Sequence, residues 1–224
     1  MSVSVRVAAS AALVVIAQTA SAVVIDYTDI PDGGTAVNLV LGPVSVDVTA
    51  SVRQFEYKTV NGVTGVGIEA GVVDGEIDFE ESIDFAFSEG VYLNTIQVCF
   101  LYTDGNFGDV IDEIAKLETN IGTWTLTADT ATTGTWTGPA GTVTNASIAT
   151  EAGGASWIID APGTGIFGGA ITSLSLKSGF PSDHPKKADF SFQNLDFSRE
   201  VPAPGALACM AAAGVVCLTR RRQA

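Results

Sequence analysis

The chain has 224 residues, with 25 Asp and Glu residues against 11 Lys and Arg residues, and its formal net charge is −14 at pH 7. A protein this acidic repels nucleic acid and anionic lipid, so both are poor partners for its surface. The sequence contains one histidine, His184, in a polar segment, so catalysis by a Cys–His or Ser–His pair has almost no residues to draw on. We therefore expect a protein that is not an enzyme.

Residues 1–22 have the order of a secretory signal peptide. A short region with one positive charge is followed by an apolar run over residues 7–17, and Ala20 and Ala22 are the small residues that signal peptidase requires. The apolar run is shorter than the roughly 20 residues that span a bilayer. A buried N-terminal helix is the alternative. We expect cleavage by signal peptidase before Val23.

Residues 23–200 predict a single all-β domain, because short runs of β-branched and aromatic residues recur between turn residues. The run 54–60 ends at Asn61-Gly62, which is typical of a two-residue hairpin turn. Apolar residues then occupy odd positions up to Leu93 and even positions from Ile96, and this change at Asn94-Thr95 predicts a β-bulge. Further strands are predicted at residues 36–41, 44–48, 123–127, 134–137, 142–148, 156–160, 170–176 and 188–197. This spacing favours a jelly-roll-like antiparallel β-sandwich.

Two local features of the domain stay open. Residues 109–119 fit one face of a helix and also fit an irregular strand. Cys99 is the one cysteine between residues 23 and 200, and it sits in a strand pattern. A buried thiol is the favoured interpretation, with an intermolecular disulfide as the alternative.

Acidic residues are concentrated between Lys58 and Lys116, an interval with twelve acids and no basic residue. Alternate positions in its densest part are occupied by Asp74, Glu76, Asp78 and Glu80. An extended chain would place these four carboxylates on one face, and Ca²⁺ prefers such oxygen ligands. The segment lacks the glycine and the final glutamate of an EF-hand, so a calcium site in a β-sandwich loop is one hypothesis. The other is a solvated acidic loop whose side chains cap backbone N–H groups.

The tryptophans Trp124, Trp136 and Trp157 also allow two interpretations. Each lies in the middle of a predicted strand, which favours packing in the core. A row of exposed rings would instead form the sugar-stacking platform of a carbohydrate-binding module. Pairs of carboxylates leave a glycoside hydrolase as a remote alternative, although the sequence identifies no catalytic residue.

Residues 201–224 combine three parts. The first is a short extended motif of Val201, Pro202, Ala203, Pro204 and Gly205. The second is the apolar stretch 206–219, which as a helix covers about 21 Å, less than the hydrocarbon core of about 30 Å. The third is a basic stop of Arg220, Arg221 and Arg222, which the positive-inside rule keeps on the cytoplasmic side.

This order of motif, apolar stretch and Arg cluster resembles the C-terminal sorting signal of PEP-CTERM proteins. Pro202-Ala203-Pro204 stands where that family usually has Pro-Glu-Pro. The resemblance implies cleavage near the motif by an exosortase, a membrane-embedded cysteine transpeptidase-like enzyme, in Gram-negative bacteria that produce exopolysaccharide. The glycine-rich and acidic sequence between Gly65 and Leu93 also resembles the body of many such proteins. Those bodies mostly have no assigned activity.

Without both terminal segments the domain keeps seven basic and 25 acidic residues, a formal net charge of −18. We expect an exported protein that passes through the inner membrane to the cell surface or extracellular matrix. Its expected role is structural or adhesive beside exopolysaccharide. No cofactor other than calcium is indicated.

Overall fold

The computed structural model describes residues 22–69, 74–105, 111–148, 155–179 and 189–199. The expected signal peptide apart from Ala22, the sorting motif, the apolar stretch, the Arg cluster and His184 lie outside these residues. Within them, thirteen β-strands form one antiparallel network and no α-helix occurs. The all-β prediction is therefore confirmed for the described part of the chain. None of its helical segments is long and apolar enough to cross a membrane.

The strands are numbered in the order in which they follow one another along the chain. A single turn of 3-10 helix, Tyr27–Asp29, follows the first strand and is capped by Asp26. The bounds are β1 Val23–Asp26, β2 Ala36–Leu41, β3 Val44–Ala50, β4 Phe55–Val60, β5 Val63–Ile68, β6 Ser82–Cys99, β7 Ile114–Thr119, β8 Gly122–Ala128, β9 Gly134–Trp136, β10 Thr142–Asn145, β11 Trp157–Asp160, β12 Ile171–Gly179 and β13 Ser191–Arg199.

Hydrogen bonding orders the strands as β4-β5-β13-β6-β12-β7-β8-β9. β3 and β11 each also pair with β6; β2 pairs with β3, β10 with β11, and β1 with β13. The β4–β5 hairpin confirms the predicted turn, because Asn61 and Gly62 have φ values of 53° and 89°. Positive φ at both central residues is what a type I′ turn requires.

β6 is 18 residues long and connects the two parts of the network. Its residues 83–86 lie between β3 and β12, whereas its residues 95–98 lie between β13 and β11. The ring centroids of Phe85 and Phe192 are 5.3 Å apart, although Phe192 pairs with Val98. A straight strand would hold Phe85 and Val98 about 43 Å apart, at about 3.3 Å per residue. β6 therefore bends back on itself between these two positions.

The predicted bulge lies in β6 at Asn94. Leu93 pairs with Phe197 and Thr95 pairs with Asp196, which leaves Asn94 as the extra residue. The amide Nδ2 of Asn94 donates to Asp196 Oδ1 at 3.2 Å. Leu93 and Ile96 are consequently both buried, on either side of the change in parity. The bulge thus keeps apolar side chains in the core along the whole strand.

The segment 109–119 was left open between helix and strand. Of its described residues, 111–119, the last six form strand β7 and none is helical. β7 pairs with β12, which in turn pairs with β6, so β7 belongs to the same hydrogen-bonded network. Cys99 is fully buried at the end of β6, in a small apolar cluster with Phe100 and Tyr102. The main core is aromatic-rich, and its largest fully buried side chains include Trp157, Phe55, Phe85, Phe190, Phe192 and Phe197.

Candidate functional site

The acidic segment that the sequence singles out is not an extended strand. Turns at residues 74–75 and 79–80 interrupt it, and Glu76 makes one isolated bridge with Ile68. Asp74 and Glu80 are exposed, whereas Glu76 and Asp78 are each only 2 % exposed. The expectation of four carboxylates on one face is therefore wrong. The two turns break the alternation that an extended chain would impose.

Glu76 lies in a buried cluster of ionisable side chains. Its Oε1 is 2.8 Å from Nζ of Lys58 on β4. The same Nζ lies 5.5 Å from the ring centroid of Phe100. The carboxyl group of Asp189 is hydrogen-bonded to the side chains of both Glu76 and Glu113. Glu113 is fully buried, and it accepts a hydrogen bond from the backbone N–H of Tyr102. We call Lys58, Glu76, Glu113 and Asp189 the buried carboxyl cluster.

The hydrogen bonds in this cluster require at least one proton, because two ionised carboxylates have no donor between them. Burial, and after it the neighbouring Asp189, raise the pKa of Glu76 to about 8 against the opposing effect of Lys58. Burial also raises the pKa of Asp189. The loss of solvation thus outweighs the attraction of one ammonium group. Near neutral pH the cluster holds a proton that the unfolded chain would release.

Glu81 is a second buried acid, on the same segment. Its Oε2 accepts a hydrogen bond of 3.1 Å from the backbone N–H of Asp78. Burial raises the pKa of Glu81 to about 7, although the hydrogen bond from Asp78 acts in the opposite direction. Glu76 and Glu81 therefore titrate far above ordinary carboxylates.

The arrangement around Glu76 is that of an ion pair rather than a metal centre. Lys58 already contributes a positive charge at the position where a cation would neutralise Glu76. Across the described ranges, no group of three or more His, Cys, Asp or Glu residues is positioned to hold a metal ion. Of the proposed ligands, Asp74 and Glu80 are in turns and exposed, whereas Glu76 and Asp78 are buried.

A groove of about 370 Å³ lies on the face of strands β3, β6, β12 and β7. Ala86, Ser173 and Ser175 are the small side chains of its two middle strands, and Ala86 pairs with Ser173. The flanking lining is larger and polar, with Asp47 and Thr49 on β3 and Glu118, Thr119 and Asn120 at the end of β7. We call this concavity the outer groove, because its side chains alternate with the buried residues Val48, Phe85 and Leu174.

The polar groups of the outer groove are held in fixed positions. Asp84 Oδ2 accepts a hydrogen bond from the Ser82 hydroxyl at 2.8 Å, and Asp47 Oδ1 accepts one from Asn38 at 2.6 Å. Asn120 Oδ1 accepts from the backbone N–H groups of Thr172 and Ser173.

Ser175 pairs with Asp84 on one side and with Glu118 on the other. Its Oγ is buried and has no hydrogen-bond partner among the described residues. Glu118 is paired with Lys116 at 2.7 Å and with Lys177 at 2.5 Å. Hydrogen bonds from Lys116 and Lys177 lower the pKa of Glu118, so it stays ionised.

The three tryptophans lie on the other side of the sheet from the outer groove. Trp157 is fully buried, and its Nε1 donates to the carbonyl of Leu101 at 3.0 Å. Trp124 stacks on Phe167 with 4.8 Å between ring centroids, and Trp136 packs against Phe167 at 6.1 Å. The structure thus places all three rings against core residues. Trp157 has no face open to a sugar, which removes it from the stacking platform considered above.

Every basic side chain in the described ranges already has a partner. Lys58, Lys116, Lys177 and Arg199 pair with carboxylates. Arg53 donates to the carbonyl oxygen of Glu69 at 3.1 Å. The described surface therefore offers an anion no basic group that is not already engaged.

Sequence reasoning missed both the outer groove and the role of Lys58. The groove brings together residues from four strands that are far apart in the chain, and Lys58 lies 18 positions before Glu76. The one available signal was the isolation of Lys58 at the border of the acidic interval. Comparison with protein-family models, with curated proteins and with solved structures gives no match for this chain.

Proposed function

We propose that this protein is exported, sorted through its C-terminal segment, and retained at the cell surface or in the extracellular matrix as a structural or adhesive component. The observation that carries the proposal is the order of Val201–Gly205, the apolar stretch 206–219 and the three arginines in the sequence. Residues 1–22 agree with it, because a signal peptide places the following domain outside the inner membrane. The partners in this proposal are signal peptidase, an exosortase-type enzyme and exopolysaccharide.

The character of the described domain supports a structural role. A continuous apolar core runs through the strand network, and the raised-pKa carboxyls Glu76 and Glu81 lie outside the outer groove. A glycoside hydrolase needs such a proton donor beside the scissile bond. A hydrolase therefore stays the weakest candidate.

We further propose that the strand network is a jelly-roll-like β-sandwich. The contacts Phe85–Phe192 and Phe87–Phe197, with centroid distances of 5.3 Å and 5.4 Å, support two facing layers. The bend of β6 supplies the connection that such a sandwich needs between its sheets.

Carbohydrate binding is the second candidate function, and the outer groove is the observation that favours it. The groove has the volume of an ordinary ligand site, and its lining combines apolar surface with several hydrogen-bonding side chains. The tryptophan platform has less support, since Trp157 is buried and the other two rings pack on Phe167.

The sorting proposal is tested by mass spectrometry of the C-terminus of surface-located protein, from cells with and without the sorting enzyme. We expect a C-terminus near Val201–Gly205 in cells that have the enzyme, and an intact Arg222 in cells that lack it. Replacing both Pro202 and Pro204 by Ala should block processing. Pro43→Ala is the matched control, because Pro43 lies in an exposed turn between β2 and β3.

Surface-located protein that keeps Arg222 in cells with the enzyme would contradict the proposal. Normal processing of the double proline variant would show that the motif is not what the enzyme recognises.

A further inference from the structure

We propose that the outer groove binds a neutral glycan chain, whose hydroxyl groups donate hydrogen bonds to Asp47 and Asp84 and accept one from the side-chain amide of Asn120. The inference rests on the proposed surface role beside exopolysaccharide, and it specifies the site and the ligand class.

The shape of the groove follows from the sizes of cross-strand neighbours. Ala86 of β6 pairs with Ser173 of β12, so the two middle strands present small side chains to one another. Asp47 of β3 stands beside Ala86 on the outer side, and Asn120 follows the end of β7 on the opposite side. From β3 to β7 there are three strand spacings, or about 14 Å between backbones. The groove lies across these four strands and has room for a short segment of a polymer chain.

The chemistry of the lining fits hydroxyl groups. An ionised carboxylate accepts hydrogen bonds at both of its oxygens, which suits two neighbouring hydroxyls of a sugar ring. Asp47 and Asp84 each have one oxygen engaged within the protein, through Asn38 and Ser82. Those contacts fix the carboxylates without using all of their acceptor capacity.

The charge of the groove selects against anionic chains. Lys116 and Lys177, the ammonium groups nearest to it, are both held by Glu118. Asp47 and Asp84 have no described basic partner. An acidic polysaccharide would bring further negative charge to this surface, whereas a neutral chain adds none.

The test is affinity electrophoresis of the full-length protein in gels that contain dextran, a mixed-linkage β-glucan or galactomannan as neutral probes. Parallel gels contain alginate as an anionic probe and chitosan oligosaccharide as a cationic probe. Ala86→Trp fills the floor of the groove, and Ala36→Trp is its matched control. Ala36 is exposed on β2, pairs with Thr49 on the same face, and lies outside the groove lining. Melting curves followed by circular dichroism establish that each variant is folded.

We expect at least one neutral probe to retard the parent protein. We expect Ala86→Trp to weaken that binding at least tenfold, Asp84→Ala to weaken it several-fold, and Ala36→Trp to leave it unchanged. The inference is overturned if no neutral probe binds, if only alginate or chitosan binds, or if folded Ala86→Trp binds as well as the parent. Loss of binding in Trp124→Ala with retention in Ala86→Trp would place the ligand on the aromatic side instead. These outcomes are independent of C-terminal processing, so failure here leaves the sorting proposal intact.

Discussion

The ammonium group of Lys58 lies 2.8 Å from Oε1 of Glu76, and it is the positive charge in a cluster that also contains Glu113 and Asp189. Three carboxyl groups thus share one buried cation. The imbalance is relieved by a bound proton rather than by a second basic residue. This relationship gives the domain a contribution to stability that decreases as pH rises from mildly acidic to mildly alkaline values.

We expect the domain to become less stable as pH rises from about 4.5 to about 8. The pKa of Glu76 rises from 4.5 to about 8 on folding, so between these values the folded protein holds a proton that the unfolded chain releases. The contribution is fully present below the lower pKa and is lost as pH rises through the upper one. Its size is on the order of 5 kcal/mol for one group, at about 1.4 kcal/mol per pKa unit. Urea unfolding at pH 5, 6, 7 and 8 measures it.

The matched variant for this pH dependence is Glu76→Gln, which keeps the shape of the side chain and does not titrate. We expect a shallower fall in unfolding free energy with pH. An unchanged slope in Glu76→Gln would show that the pH dependence has another origin.

Lys58→Met should destabilise the domain by about 2–4 kcal/mol at pH 9, where Glu76 is ionised, because it leaves that buried carboxylate without its cation. The double variant Lys58→Met/Glu76→Gln should recover a large part of that loss, since no charge is then buried alone. Lys177→Met is the control. Its ammonium group pairs at an exposed site with Glu118, which keeps Lys116, so the expected cost is below about 1 kcal/mol. Equal losses for Lys58→Met and Lys177→Met in urea unfolding would contradict this prediction.

Gly67→Ala should destabilise the domain by about 3 kcal/mol or more. A Cβ at Gly67 would overlap the backbone atoms of Gly75 and Glu76. Backbone atoms cannot shift without disturbing the neighbouring hydrogen bonds, so the overlap costs stability. At Gly169 an added Cβ meets its nearest neighbour, Ile121 Cδ1, at an ordinary 3.4 Å, so Gly169→Ala is the control. Thermal melting of the two variants measures the difference. A melting temperature for Gly67→Ala that matches the parent would mean that the acidic segment does not cross β5 this closely.

Calcium should leave the melting temperature unchanged. Glu76 is paired with Lys58, and Asp74 and Glu80 are exposed in separate turns, so the segment has no preformed set of oxygen ligands. Melting curves with millimolar CaCl₂, MgCl₂ or EDTA check this. A rise with calcium that magnesium does not reproduce would restore the hypothesis of a site at Asp74, Glu76, Asp78 and Glu80.

The features that could be predicted from the sequence are the local ones. Asn61-Gly62 determines its own turn, because both residues tolerate positive φ. The bulge at Asn94 was visible because burial forces apolar residues onto one face, so a change in their parity within one strand requires an extra residue. Alternation alone therefore identified most of the strands.

The features that could not be predicted depend on distant residues. The acidic segment turns because the backbone N–H of Ile77 bonds to the carbonyl of Phe190, and because Ile68 bridges to Glu76. Strand β1 was not predicted, because its run of three β-branched residues is too short to identify a strand until it pairs with β13. The outer groove likewise exists only after β3, β6, β12 and β7 are aligned. Register across strands is the information that a single sequence does not contain.

The pairing of β1 with β13 has a mechanical consequence. Val23 lies opposite Phe197 and Asp26 lies opposite Asn194, so the first and last described strands run antiparallel. The beginning of β1 and the end of β13 therefore lie side by side at the same end of the pair. A force that separates Val23 from Arg199 would peel the two strands apart one pair at a time, instead of loading all of their hydrogen bonds together. A chain held at its C-terminal side and pulled at its N-terminal side would therefore yield first at β1. A force applied at other points of the domain would not separate the β1–β13 pairs in this sequential way.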